Sequence, residues 1–500
     1  VIMRITNKMM TNNMMSNINK NKLNLTTLEQ QYSSGKKIQR PSDDPIVTVR
    51  ALKLRTNLTE LKQYYEKNIP DAKSWMNVTE SALRTVNEIL RQVNSYCVQG
   101  SNDTLTAKDR SAIVSNLTQM RDQIYQEGNA NFAGRYVFSG FKTDTPLLFT
   151  DNEPDLTYTI TETIEASRLQ VITKVSGGYE LADFDDPAKD FTEAPKLNEC
   201  YRIQLAYDKL EQAAPDSIKL YKLDESGKLE ESTPFVNLVS ISVSDPKAYS
   251  PDDAVAHYIP ETGEIILGKD AYEEIRKTAQ IEITYNKTGF EKGSLRPEHY
   301  FDCTVKDNSK PELEPISYQK TKQDIQYEVN YNQRLTINTE GSDAITHQIG
   351  RCIDDILTAV NDVVKTEEKI AEVEKRLADA NLSEADKERY LKMKEQLETE
   401  LVLKKEAMQK AFNEGIKISN QQQDLVNTAV ADLGSRYVRL ELTENRLSIQ
   451  KVDFEELLSE NEDVDIVDTI IKFKSAEALY NASLAAASKI VQGSLLDFLR

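Results

Sequence analysis

The two ends of this 500-residue chain carry matching apolar seams that lie more than four hundred residues apart. Near the amino end Met14, Ile18, Leu25, Leu28 and Tyr32 fall at heptad spacing, with Asn21 in the remaining slot. Near the carboxyl end Ile466, Ile470, Phe473, Tyr480, Leu484, Ala487, Val491 and Phe498 keep the same repeat, broken by Glu477. Such a period is a stripe for packing against another helix. Neither stripe holds enough large side chains to fold alone, but paired they can bury each other. The chain is therefore expected to leave and return at the same end of an elongated molecule.

Between the seams the period changes twice. Ser33-Ser34-Gly35 ends the first helix, because glycine is the favoured residue after a helix. In Arg40-Pro41-Ser42-Asp43-Asp44-Pro45, Asp44 caps a new helix and Pro45 takes its first position, where no N–H is needed. A helical stretch over about 71–99 follows, then a turn at Asn102-Asp103-Thr104 and a capping box from Thr106 to Asp109. From about 141 to 340 the pattern alternates, in 156–161, 168–173, 240–244, 280–285 and 325–331, with turns at Ser176-Gly177-Gly178 and Glu261-Thr262-Gly263. This reads as antiparallel β structure with one wet face, with a helix expected near 200–213. Helical spacing returns with Ile349, Ile353, Ile356, Val360 and Val363. From Thr366 to Lys410, 22 of 45 residues are charged, with both signs interleaved around a thin seam of Ile370, Val373, Leu377, Leu397 and Leu401. Asn381 to Asp386 supplies a turn and a capping box, so this run is a solvated helical hairpin.

The expected fold is α+β and elongated. A long α-helical coiled coil or bundle is built from both termini, and a central antiparallel β-rich domain is inserted. Its parts are an assembly helix at 1–40, a half-bundle at 41–148, the β-rich outer domain at 149–324, a second half-bundle at 325–465 with the charged hairpin at 366–410, and a carboxyl-terminal assembly helix at 466–500.

Composition narrows the function. A net charge of -19 disfavours nucleic acid and anionic membranes, since phosphate neutralisation needs a basic face. No apolar run reaches the ~18 residues of a membrane span, and Val1 to Ile5 do not read as a secretory signal. Cys97, Cys200, Cys303 and Cys352 lie outside zinc-ligand spacing and read as free structural thiols. With three histidines in all, no metal, cofactor or catalytic set emerges. Gly35-Lys36 lacks the upstream glycine of a phosphate loop. Asp43-Asp44 reads as a helix cap before a metal pair. Glu462-Asp463-Val464-Asp465 lacks the glycine and terminal glutamate of a calcium loop.

Several segments resemble the flagellin superfamily and, more closely, the hook-associated protein 3 family. They are Met3-Arg-Ile-Thr-Asn7, Ser34-Gly-Lys-Lys-Ile-Gln-Arg-Pro-Ser-Asp-Asp-Pro45, Asn102-Asp-Thr-Leu-Thr-Ala-Lys-Asp-Arg110, Gly134-Arg-Tyr-Val-Phe-Ser-Gly140, and Ser483 to Val491 followed by Leu495 to Leu499. The likeness covers roughly 1–148 and 325–500. It departs from the family in a longer β region, in the charged hairpin and in the free cysteines. The resemblance implies a structural subunit of the bacterial flagellum, not an enzyme, at the junction between the hook and the filament. It implies a ring of its own copies that contacts hook-associated protein 1 and flagellin. It also implies export, without a cleaved signal, by the flagellar type III apparatus with the help of a chaperone. The assembly interface then falls on Met14, Ile18, Leu25, Leu28, Ile470, Phe473, Tyr480, Leu484, Val491 and Phe498. Two alternatives stay open: the filament flagellin itself, or a flagellin-like protein with a binding or enzymatic middle domain.

Overall fold

Helices begin and end where their caps stand. In the computed structural model, which describes residues 7–102, 105–186, 189–224, 227–379 and 382–498, the helices are α1 (Asn7–Ser34), α2 (Pro45–Gln63), α3 (Ile69–Gly100), α4 (Ala107–Glu127), α5 (Lys269–Ile275), α6 (Gly341–Ala344), α7 (His347–Leu377), α8 (Glu384–Glu462) and α9 (Ile466–Phe498). Gly35 stops α1 at a φ of 71°, where its N–H donates to Gln31 O at 2.9 Å. Asp44 caps α2, accepting from the N–H groups of Ile46 and Val47 at 3.0 and 3.1 Å. Asp43 works on the preceding turn instead, where its carboxylate accepts from the N–H groups of Gln39 and Arg40. Thr106 and Asp109 close the expected capping box, and Ser383 accepts from Asp386 N–H to open α8. Asp103, Thr104 and Asn381, named in the turn expectations, lie outside the described residues, as do Met3 to Thr6. Asp44→Ala is expected to cost α2 about 1 kcal/mol. The check is hydrogen exchange at Ile46 and Val47, which should quicken while α3 stays as it was.

The strands are β1 (Asn131–Phe132), β2 (Arg135–Tyr136), β3 (Glu153–Glu165), β4 (Gln170–Ser176), β5 (Lys196–Gln204), β6 (Ile218–Leu223), β7 (Leu229–Phe235), β8 (Leu238–Ser240), β9 (Ala256–Ile259), β10 (Glu264–Leu267), β11 (Gln280–Phe290), β12 (Asp302–Asp307), β13 (Ile316–Tyr318), β14 (Gln326–Asn330) and β15 (Gln333–Thr336). The fold is α+β, with helices towards both ends and a central, largely antiparallel β region. The chain divides into two compact units. One comprises Val1–Asp71, Glu328–Leu335 and Val438–Arg500; the other comprises Ala72–Tyr327 and Thr336–Tyr437.

In the second unit a six-stranded sheet, ordered β13-β12-β3-β11-β6-β7, faces a five-stranded sheet, ordered β4-β5-β10-β9-β8. Their shared core includes Tyr158, Ile160, Ile281, Ile283, Ile203 and Ile265. Alternation sets the other face of β3: Thr159 and Thr163 stay exposed, and Thr159 bonds Asn286 across the ladder. Gly263 turns the chain between β9 and β10 at a φ of 63°, and a Cβ there would lie 1.9 Å from Tyr207 O. The helical part of this unit buries Trp75, Leu83 and Leu90 of α3, Leu117 and Ile124 of α4, Ile349, Ile353 and Ile356 of α7, and Phe412 of α8. All four cysteines are buried free thiols.

Three local expectations are corrected. The helix expected near 200–213 is instead β5 followed by irregular chain, because Tyr201 to Gln204 are paired on one side with β10 while β4 holds the other side of the strand. The alternating run 240–244 forms a strand only up to Ser240; Ile241 then packs against Cys200, Ala248 and Ile266. The β8–β9 pair is parallel, not antiparallel. In addition, Arg168 belongs to a short 3₁₀ turn, and β4 starts at Gln170.

The charged hairpin is helical on both sides of its turn, but its seam is not left to solvent. Residues on either side of 187–188, Tyr179 to Asp186 and Lys189 to Phe191, cover it. Tyr179, Leu181, Phe184 and Phe191 pack on Ile370, Val373, Tyr390, Met393 and Leu397. The Phe184 and Tyr390 rings stack at 3.7 Å and 3°. Arg389 lies over Phe184 and donates to the carbonyls of Asp186 and Lys189, while Lys369 Nζ reaches Tyr179 O at 3.1 Å. This clasp explains how a helix pair so rich in charge buries its thin seam. A double-mutant cycle on Phe184→Ala and Tyr390→Ala is expected to give a coupling of about 0.5–1.5 kcal/mol, as for other aromatic pairs. Additive single effects would mean the stack contributes nothing of its own.

Candidate assembly interface

In the first unit the two terminal helices meet. Spacing by three and four places Met14, Ile18, Asn21, Leu25 and Leu28 on one face of α1, where Ile18 is buried and the others are half-buried. This face packs against α9, and the contacts run antiparallel: Tyr32 stacks on Phe473 at 6.3 Å and 15°, and Asn21 Nδ2 donates to Ser483 Oγ at 2.8 Å.

The seam on α9 is shifted from the expected one. Thr469 and Ala476 are buried, and Phe473, Tyr480, Ser483 and Ala487 are half-buried. These residues are four, three, four, three and four apart, a heptad seam that keeps Phe473, Tyr480 and Ala487 of the expected one and takes Thr469 and Ser483 in place of their neighbours Ile470 and Leu484. Ile470 and Leu484 are instead 38% and 42% exposed, beside the seam. The side chains of Val491 and Phe498 lie outside the described residues. The apolar pattern favours the large residues and passes over Thr469, Ala476 and Ser483, whose small side chains let α1 approach.

As a result, apolar surface is left uncovered on both helices. Met9, Met10, Met15 and Leu23 are exposed on α1, and Ile466, Val467, Ile471 and Leu479 on α9. Scattered exposed hydrophobes are ordinary, but runs of them along one helix pair mark an interaction surface.

The two turns that lead into this pair hold each other. Lys37 N–H donates to Glu462 O at 2.7 Å, and Val464 N–H donates to Gly35 O at 3.0 Å, forming a short antiparallel bridge. Lys36 Nζ lies 2.5 Å from Asp463 and 3.4 Å from Glu462. Arg55 reaches the largely buried Glu462 at 2.6 Å, and its hydrogen bond holds that carboxyl below its ordinary range. The acidic run after α8 is therefore a turn lock. Among the described residues no group of three or more His, Cys, Asp or Glu is placed to hold a metal, and no helix is long and apolar enough to cross a membrane.

Comparison with known proteins matches residues 5–143 to the bacterial flagellin N-terminal helical region and residues 416–499 to the bacterial flagellin C-terminal helical region. The paired α1 and α9 are thus the outer segments of the two flagellin regions, brought together by the fold. The flagellar hook-associated protein 3 of Salmonella typhimurium is 32% identical over 143 residues, covering 28% of this chain and 45% of that protein. A flagellin of Clostridium tyrobutyricum is 35% identical over 127 residues, covering 25% of this chain and 33% of that protein. The chain thus spans less than half the length of the curated relatives it matches. The solved structure of flagellar hook associated protein-3 from Legionella pneumophila aligns over 81% of this chain and 97% of its own, at 11% identity and a TM-score of 0.29.

Proposed function

We propose that this flagellin-type chain is a structural subunit of the bacterial flagellum, not an enzyme, and that it forms the junction between hook and filament. The observation that carries the reading is the antiparallel α1–α9 pair with its uncovered apolar surface. A pair built this way is half of an interface and gains area only when further helices close over it. On this reading Met14, Ile18, Leu25, Leu28, Phe473 and Tyr480 hold the pair together, and Ile470 and Leu484 face neighbouring subunits. By their spacing in the sequence, Val491 and Phe498 belong to the same expected interface. The partners are further copies of the chain in a ring, hook-associated protein 1 on one side and flagellin on the other, with an export chaperone before assembly. Its place is outside the cell, on the flagellum.

The second reading is the filament flagellin itself. It is favoured by the Clostridium tyrobutyricum flagellin, whose identity is as high as that of the hook-associated protein. Gold-labelled antibody on intact flagella separates the two. A single band at the distal end of the hook fits the junction, label along the whole filament fits flagellin, and label on neither removes both.

A further inference from the structure

We infer that the lock between the two turns is a preformed clamp that seeds the pairing of α1 with α9 in one register. On the reading that these two helices complete their fold on assembly, the clamp is already closed in the lone chain, before either is helical.

Its foundation lies outside the pair it serves. α2 and the last turns of α8 belong to one compact unit, and three contacts join them without any part of α1 or α9. Asn461 Nδ2 donates to Val47 O at 3.1 Å, and Lys62 Nζ lies 2.9 Å from Glu455. Arg55 lies 2.6 and 2.7 Å from the two oxygens of Glu462. Leu58 and Leu61 of α2 and Leu440 and Leu447 of α8 are buried. Glu462, its side chain only 4% exposed, is thus fixed by helices that do not depend on the terminal pair.

On that base both chain ends are caught. Lys36 reaches Glu462 and Asp463, and the N–H groups of Lys37 and Val464 close the antiparallel bridge. Lys37 Nζ donates to Glu460 O, and Ser459 Oγ donates to Asp463 at 2.7 Å. Each helix then starts from the bridge itself. Gln31 in the last turn of α1 donates to Lys37 O at 2.8 Å. Asp465 caps α9, accepting from the N–H groups of Val467 and Asp468 at 2.9 and 3.1 Å. The chain enters and leaves the terminal pair only through these two turns.

The pair needs such a start. Seven of the 28 residues of α1 are asparagine, a weak helix former. The two turns are also 426 residues apart in sequence, and closing so long a loop costs entropy. With the clamp closed, the folded unit bears that cost once. The ends then face each other across a few residues, so their pairing becomes a local step at high effective concentration. Register follows from the same point. The bridge sets Lys36 against Asp463; further out Tyr32 meets Phe473, and Asn21 meets Ser483. Ile470 and Leu484, one position along from Thr469 and Ser483, offer a rival seam with larger residues. A zipper that starts at the clamp begins on the observed seam instead.

Hydrogen exchange at single-residue resolution on the full, dilute chain tests this. The Lys37 and Val464 amides are expected to exchange about tenfold more slowly than those of 8–30 and 468–488. Lys36→Gln with Arg55→Gln strips the cations from the clamp at two side chains that are 43% and 58% exposed. It should bring both amides to the rate of the helices and leave Leu58 and Leu61 as they were. Lys36→Arg with Arg55→Lys, which keeps both charges, should restore the protection. Three results would each overturn the clamp: fast exchange at Lys37 and Val464 in wild type, unchanged exchange there in the Gln variant, or helices already protected in the lone chain, which would leave nothing to seed. None of these depends on where the protein sits on the flagellum, so the antibody labelling that decides the junction role succeeds or fails separately.

Discussion

Glu264→Ala is expected to cost the β-rich unit about 3 kcal/mol, the low end for breaking a buried pair, because it removes one of the two carboxylates that compensate the buried Arg202 and leaves only Asp355. Arg202 on β5 and Glu264 on β10 are both nearly fully buried and 2.5 Å apart. Arg202 also reaches Asp355 on α7 at 2.7 Å and Gln170 at 2.6 Å, while Tyr249 and Thr262 donate to Glu264. One guanidinium thus ties the five-stranded sheet to a helix of the same unit. Burial by itself would raise the Glu264 carboxyl, but Arg202 outweighs it and holds the group well below the usual carboxylate range. A lowered folded value means that the stabilisation is whole above the unfolded value of about 4.3. It is lost as pH falls through the folded value. Urea unfolding of wild type and Glu264→Gln at pH 7 and near pH 3 should therefore show a gap that narrows in acid. A gap of the same size at both pH values would mean that the ionised pair contributes no net stability.

Ile470→Glu with Leu484→Glu is expected to abolish incorporation into flagella while leaving the isolated chain as stable as before. Both residues lie beside the α1–α9 seam and are substantially exposed. Surface changes of this kind usually shift stability by less than about 0.5 kcal/mol, and glutamate keeps the helix propensity. In a closed assembly the same carboxylates would be buried without partners, at several kcal/mol each, repeated in every subunit. Cells carrying the double variant should be non-motile and shed flagellin, with the purified variant melting like wild type. Normal incorporation would remove these two residues from the interface.

The terminal pairing was legible because heptad spacing survives any change of context. Asp44, Gly35, Thr106 and Ser383 were legible because caps are local chemistry. The shift of the α9 seam was not, since Thr469, Ala476 and Ser483 carry no hydrophobic signal and become a seam only through the close approach of α1. The stretch near 200–213 misled because Tyr201 and Leu205 fit helical and strand spacing alike, and only the pairing of β5 decides between them. The Tyr179–Phe191 clasp had no signature, because an irregular segment declares its target through tertiary contact.

On this account the two ends complete their fold on assembly. On the face α9 turns to α1, Phe473 and Tyr480 alternate with Thr469, Ala476, Ser483 and Ala487. A fully buried large apolar side chain contributes roughly 1.5–3 kcal/mol. Ordering the backbone costs about 1–2 kcal/mol per residue, and a helix has a costly nucleus. Such a seam leaves the lone pair marginal and the uncovered stripe decisive. Hydrogen exchange over 466–498, measured on the dilute chain and on purified flagella, tests this directly. The expected result is rapid exchange in the lone chain and strong protection in the assembled one. Strong protection already present in the dilute, chaperone-free chain would show that α1 and α9 need no further partners, and would contradict the account.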